Sequence, residues 1–190
     1  MLFTPTCPLC GRRGAAPCLA CRASLRRIGP VPPPPGLDAC AALLRHDGAG
    51  RALVIACKFR NRRDAIPWLG AQMAALVASP PDIVTWAPTT AGRRGARGYD
   101  QAELLARRVA RSLGRPCRST LSRLPGAAQT GRSAAARREG VAFVGRPLRA
   151  ARILIVDDVL TTGSTLCAAA AALRAAGAEA VDAVVAAHRP

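Results

Sequence analysis

Aromatic side chains are almost missing from this chain: three phenylalanines, two tryptophans and one tyrosine make up 3% of its 190 residues. Its core must therefore be built from Ala, Val, Leu and Ile, and few rings are on offer for nucleic-acid bases to stack on. Lysine is nearly absent too. Of 28 basic residues only Lys58 is a lysine, and 11 acidic residues leave a formal charge of +17. Such a charge ordinarily points to an acidic partner, nucleic acid or a polyphosphate. The crowding of Arg, Ala, Gly and Pro fits the codon usage of a GC-rich genome, which discounts that signal.

Long apolar runs are also lacking. The alanine-rich carboxyl end is interrupted by Arg174, Glu179 and Asp182, so no stretch is expected to cross a membrane. Met1 to Thr6 has neither a basic n-region nor an apolar h-region, and a cytoplasmic protein is expected. In that reducing compartment eight cysteines read as metal ligands or buried apolar residues rather than disulfides. No G-x-x-x-x-G-K-[ST] occurs and no G-x-G-x-x-G follows a strand, which excludes a P-loop and a dinucleotide fingerprint. No long-period repeat is visible. His46 and His188 stand isolated and read as structural.

What is present centres on Arg152 to Thr165, R-I-L-I-V-D-D-V-L-T-T-G-S-T. Ile153, Leu154, Ile155 and Val156 read as a short buried strand of a parallel sheet, with Asp157 and Asp158 at its carboxyl end. Ligands of open α/β sheets bind at that edge. Thr161, Thr162, Gly163, Ser164 and Thr165 form a hydroxyl-rich turn into a helix over Leu166 to Ala176, with Ser164 or Thr165 as its cap and Gly177 as its stop. The first N–H groups of a helix and the positive end of its dipole favour phosphate oxygens. Adjacent carboxylates can accept from vicinal sugar hydroxyls or hold a hydrated Mg²⁺. Cup and acid pair together describe a site for a ribose 5-phosphate.

V-D-D-V-L-T-T-G-S-T-L closely resembles the phosphoribosyl pyrophosphate (PRPP) motif of type I phosphoribosyltransferases, and the whole chain resembles the ComF family. The resemblance implies an α/β, type I phosphoribosyltransferase-like fold, a parallel sheet flanked by helices, behind a small N-terminal four-cysteine zinc module. It implies that Asp157 and Asp158 are the catalytic pair that holds the ribose hydroxyls, and that Thr161, Thr162, Gly163, Ser164 and Thr165 hold the 5-phosphate. Mg²⁺ would accompany PRPP. The implied activity is pentosyl transfer with release of pyrophosphate to an unidentified acceptor. Two alternatives stay open: a non-catalytic PRPP or nucleotide sensor, and a nucleic-acid-binding accessory protein in DNA uptake.

Three segments are expected: 1–28, 29–36 and 37–190. In the first, Cys7-Pro-Leu-Cys10 and Cys18-Leu-Ala-Cys21 can give four thiolates to one tetrahedral Zn²⁺, whose binding would supply the folding energy of so short a segment. Redox use or free thiols are the alternatives. Gly29 to Gly36 reads as a stiff, extended proline-rich linker. The third segment is read as the phosphoribosyltransferase-like domain. It opens with a strand over Asp38 to Arg45, a turn at His46-Asp47-Gly48 and a helix over Arg51 to Phe59. A helix over Pro67 to Val77 and a strand over Ile83 to Trp86 follow.

Between Thr89 and Arg152 fifteen arginines face three acidic residues, which suits a pyrophosphate or a DNA backbone. Thr89 to Gly98 reads as a glycine-arginine loop before a helix over Asp100 to Leu113, and type I enzymes bind pyrophosphate at such a loop. Arg94 and Arg97 are therefore candidates there. Lys58-Phe59 matches a lysine-phenylalanine pair of ComF-like sequences, making Lys58 a candidate phosphate ligand. Arg97-Gly98-Tyr99-Asp100-Gln101-Ala102 resembles the family's R-G-F-N-Q-A, with aspartate for asparagine. Cys117 to Leu124 reads as a strand. Pro125 to Gly140 reads as a mobile basic loop, where the resemblance places a flap that uses Gln129, Arg137 and Phe143. Arg132 and Gly140 depart from the flap pattern. Val181 to His188 is the final strand, completing a βαβ unit with the central motif.

Overall fold

The computed structural model describes residues 4–59, 62–124 and 141–190. The flap candidates Gln129 and Arg137, and Arg132 and Gly140, which depart from the flap pattern, lie outside these residues. A short helix α1 (Leu19–Ala23) leads to strands β1 (Arg27–Val31) and β2 (Ala39–Arg45) and helix α2 (Gly48–Phe59). Then come α3 (Ile66–Ala74), β3 (Ile83–Trp86), α4 (Ala91–Arg97) and α5 (Gln101–Leu113). The chain continues through β4 (Leu121–Arg123), β5 (Phe143–Gly145), β6 (Ala151–Leu160), α6 (Ser164–Ala175) and β7 (Ala178–His188).

The main sheet has the order β1-β2-β7-β6-β3. β2, β7, β6 and β3 run parallel, and β1 is antiparallel at the edge. Side chains alternate across the sheet with period two, so each central strand feeds both faces. Leu154, Val156, Val184 and Ala186 enter a core with Leu53, Leu69, Met73, Leu105 and Val109 from α2, α3 and α5. Ile153, Ile155, Val181, Ala183 and Val185 enter a second core with Leu166, Ala170 and Leu173 of α6. Helices on both faces explain why β6 and β7 read as continuous apolar runs. With so few rings available, aliphatic side chains fill both layers, as the composition requires.

Several elements differ from the expectation. β6 does not stop before the acid pair: Asp157 pairs with Val185 and Leu160 with His188, because β7 is long enough to carry the ladder on, whereas β3 ends at Trp86 opposite Val156. The aspartates thus lie within β6, beyond the end of its other neighbour. Residues 91–97 are helix α4 rather than a loop, in keeping with the good helix propensity of Ala and Arg, and Gly98 at φ +73° ends it.

The expected strand over 117–124 is split. Cys117 bridges Val84 beside β3, and the chain then leaves to pair β4 with β5 in a separate two-stranded sheet. Neither Ser164 nor Thr165 caps α6. Gly163 is the N-cap in the left-handed region, and the Ser164 N–H donates to Thr162 Oγ1 at 3.4 Å. The proline-rich stretch begins inside β1, where Gly29, Pro30 and Val31 pair with β2.

Residues before β1 pack onto the main layer. Leu25 is buried in the α2/α3/α5 core and Leu9 packs against it. Arg22 and Arg27 lie over the Trp68 ring at 5.3 and 5.9 Å, and the Thr6 N–H donates to Asp64 Oδ2 at 3.0 Å.

Candidate functional site

Parallel strands deliver their carboxyl ends to one edge, and there the residues after β3, the end of β6, the start of α5 and the end of α2 line a cavity of about 280 Å³. Asp157, Asp158, Thr161, Thr165, Lys58, Thr89, Asp100, Gln101 and Arg123 line it. A smaller recess of about 20 Å³ adjoins it, bounded by Asp157, Thr161, Gly163, Ser164 and Thr165 around the first turn of α6. The structure therefore gathers the acid pair and the hydroxyl turn at one place. Thr162 is exposed and lines neither cavity; its hydroxyl donates to Ser164 Oγ at 3.2 Å.

Strand geometry sends the two neighbouring carboxylates different ways. Asp158 meets Lys58 of α2, with Nζ 2.7 Å from Oδ2, and both side chains are largely buried. Asp157 accepts its neighbour's N–H, from Asp158 to Oδ1 at 2.7 Å. Burial first, and then the Asp158 charge, raise the Asp157 carboxyl to about 8; Lys58 offsets only part of this. In the unliganded protein this shift favours the protonated form of Asp157, and a partner offering hydrogen-bond donors or positive charge would favour its ionised form.

The glycine of the turn has a packing reason. Gly163 sits at φ +77°, and a Cβ there would stand 3.0 Å from Pro34 Cγ. The proline-rich stretch therefore backs the turn from behind. A side chain at this position would meet both an unfavourable backbone and a wall.

α5 contributes residues that motif reading left out of the cavity. Asp100 caps this helix as expected, accepting from Ala102 N at 3.0 Å, but its second oxygen also takes the Thr89 N–H at 2.8 Å. It is buried, and desolvation raises its pKa despite those bonds. Tyr99, standing where the resemblance has phenylalanine, donates its hydroxyl to the Cys57 carbonyl at 2.6 Å. That bond ties the start of α5 to the end of α2 that carries Lys58. Asp100 and Gln101 were visible in the sequence as part of R-G-Y-D-Q-A; Arg123 had no motif to mark it.

Arg94 lines a second cavity of about 930 Å³, with Trp86, Arg123, Leu121 and Arg146, rather than the one that holds the acid pair. The side chain of Arg97 and the whole of Arg137 lie outside the described residues. Phe143 is buried in β5, with Arg123 over its ring at 5.6 Å.

At the amino terminus the sulfurs of Cys7, Cys10, Cys18 and Cys21 all lie within 4.8 Å of one another, with Cys10 and Cys18 at 3.6 Å. Four thiolates on a tetrahedral zinc at ~2.3 Å sit about 3.8 Å apart, so the set fits such an ion. Burial opposes the Cys7 thiolate, yet N–H groups of Cys18, Cys10 and Leu9 outweigh it and bring the thiol down to about 6. Cys21 is pushed up to about 12, chiefly by its hydrogen bond with Cys18. The cluster could bind a metal such as zinc.

Residues 100–190 match the phosphoribosyl transferase domain family. Over 93% of this chain and 81% of the relative, 29% of residues are identical to the DNA utilization protein YhgH of Salmonella typhimurium. Among solved structures, glutamine PRPP amidotransferase from B. subtilis, complexed with ADP and GMP, is similar over 64% of this chain at 24% identity and a TM-score of 0.49. This chain covers 26% of that enzyme's length. Adenine phosphoribosyltransferase from Leishmania donovani is similar over 87% of this chain and 65% of its own, at 19% identity and a TM-score of 0.41. By domain match, curated relative and cysteine cluster, this chain is similar to phosphoribosyl transferase domains over residues 100–190 and to a DNA utilization protein over most of its length, with a type I phosphoribosyltransferase-like fold and four clustered cysteines at its amino terminus.

Proposed function

We propose that the protein binds PRPP with Mg²⁺ at the carboxyl edge of β6 and acts as a phosphoribosyltransferase on an unidentified acceptor. The observation that carries this reading is the shared cavity of the acid pair and the turn that opens α6. The 5-phosphate would lie in the recess, against the first N–H groups of α6 and the hydroxyls of Thr161, Ser164 and Thr165. Asp157 and Asp158 would accept from the ribose hydroxyls and face the positive charge that develops at C1 as its bond to pyrophosphate breaks and the bond to the acceptor forms. The two carboxylates are hard oxygen donors of the kind Mg²⁺ takes, and the ion would neutralise the leaving pyrophosphate. Lys58 holds Asp158 in place in the free protein and supplies a cation at the cavity wall.

Calorimetric titration of PRPP with Mg²⁺ into wild type and Asp157→Ala tests this. Saturable binding that the substitution abolishes supports it, and acceptors are then screened by pyrophosphate release. Absence of binding to folded, zinc-loaded wild type overturns it.

A second reading is binding without turnover. It is favoured by Asp100, which puts a third carboxylate on the cavity where the resemblance has an asparagine, a group that could have donated a hydrogen bond. PRPP binding with no pyrophosphate release from any acceptor would select it. The relative's name suggests a role in DNA utilization, and salt-dependent DNA retention that survives Asp157→Ala would point to a separate basic surface.

A further inference from the structure

Gln101 is 2% exposed, and among the described residues neither Nε2 nor Oε1 of its carboxamide has a hydrogen-bond partner. Buried amides are nearly always satisfied, because an unmet donor or acceptor has lost its water without replacement. Gln101 is one of the residues that line the cavity holding Asp157 and Asp158. It is also the first residue of α5, fixed by the Asp100 cap and by the Tyr99 bond to α2, so its backbone is well held while its amide is left unmatched. We infer that Gln101 reads the vicinal diol of the sugar, donating from Nε2 to one hydroxyl and accepting at Oε1 from another.

The chemistry of the amide selects a diol over a phosphate. Phosphate oxygens only accept, which would leave Oε1 unmatched. A hydroxyl both donates and accepts, so neighbouring hydroxyls satisfy both ends. The setting agrees: Asp100, Asp157 and Asp158 line the same cavity beside Lys58 and Arg123, and sugar hydroxyls can donate to each of the three carboxyl groups. The acid pair alone would bind a diol through its acceptors. Gln101 adds a donor, and with it a means of rejecting a sugar that lacks one hydroxyl.

This inference rests on the ribose phosphate reading above, and the test separates the two. Ribose 5-phosphate, 2-deoxyribose 5-phosphate and inorganic pyrophosphate are titrated calorimetrically into the full chain as wild type, Gln101→Leu and Gln101→Glu. Wild type is expected to prefer the ribose form by about tenfold or more, the scale of one buried hydrogen bond. Both substitutions should shrink that ratio by about fivefold through weaker binding of the ribose form, the acid pair keeping what remains, with pyrophosphate affinity unchanged. Gln101→Leu should not lower the melting temperature of the unliganded protein, since it removes an unmatched amide; were it to unfold the chain, Gln101→Glu, which keeps the size, decides. A ratio that stays at the wild-type value overturns the role of Gln101 and leaves the ribose phosphate site standing. Loss of pyrophosphate affinity with an unchanged sugar ratio overturns the diol assignment. Failure of wild type to bind either sugar phosphate overturns the site itself, and the inference with it.

Discussion

Lys58 Nζ lies 2.7 Å from Asp158 Oδ2, so the one lysine of the chain is spent on one member of the acid pair. A lysine expected to meet phosphate thus meets protein first. The pair joins the end of α2 to the edge of β6 across the cavity, and any ligand that takes up Asp158 must share it with, or draw it from, this ammonium.

Removing the lysine should therefore be worse than removing the pair. Lys58→Met leaves a largely buried carboxylate unpaired and is expected to cost about 2 kcal/mol, below the value for a fully buried pair because a quarter of the lysine side chain is exposed. Lys58→Met with Asp158→Asn should recover part of that loss. Urea unfolding midpoints for the two single variants and the double variant check this.

Stability of the unliganded protein should fall as pH rises toward 8. The folded Asp157 carboxyl is raised to about 8 by burial and by Asp158, so through the neutral range the folded state keeps a proton that the unfolded chain has released. Its contribution is fully present below the ordinary aspartate range and lost as pH rises through about 8. Melting temperatures measured from about pH 5 to 8.5 should drop more steeply for wild type than for Asp157→Asn. Equal slopes would show that Asp157 titrates normally.

Gly163→Ala should hurt twice. The residue holds φ +77° at the start of α6, and the new methyl would press on Pro34, so a loss of about 1–2 kcal/mol is expected. Because the turn it shapes belongs to the phosphate recess, ribose 5-phosphate affinity should fall as well. Gly92→Ala, where a Cβ meets nothing within 4 Å, serves as the matched control.

The centre of the fold could be read from the sequence, because short continuous apolar runs and a hydroxyl-rich turn are local signals. Ile83–Trp86, the α5 span with its Asp100 cap, and the β6-α6-β7 order follow from them. Where tertiary pairing decides, the reading failed. β6 runs past Asp157 because β7 extends beyond β3, and residues 117–123 divide between two sheets, which no local pattern reveals. The candidate site shows the same limit. Asp157, Asp158 and the turn announce themselves, but Arg123 reaches the cavity from a strand with no motif, and the unmatched amide of Gln101 is visible only once its surroundings are known.

The cysteine cluster should govern how the first residues dock, and Trp68 is placed to report it. Residues 4–26 have little core of their own; they hold to α3 and the residues just before it through Leu9, Leu25, the Thr6–Asp64 bond and Arg22 over Trp68, with Arg27 of β1 beside the same ring. Four sulfurs within 4.8 Å of one another, once ionised as a metal takes them, repel unless a cation sits between them. Removing metal with a strong chelator should therefore release this segment, expose Trp68 and shift its emission to the red, while β6 and α6 stay folded. Measured in a Trp86→Phe background, so that Trp68 alone emits, the shift should reverse on adding Zn²⁺ and be absent in Cys10→Ser with Cys21→Ser. Added Co²⁺ should give the visible absorption of a tetrahedral thiolate site in the unsubstituted cluster alone. A chelator-insensitive Trp68 would mean that packing on α3, rather than metal, holds the segment in place.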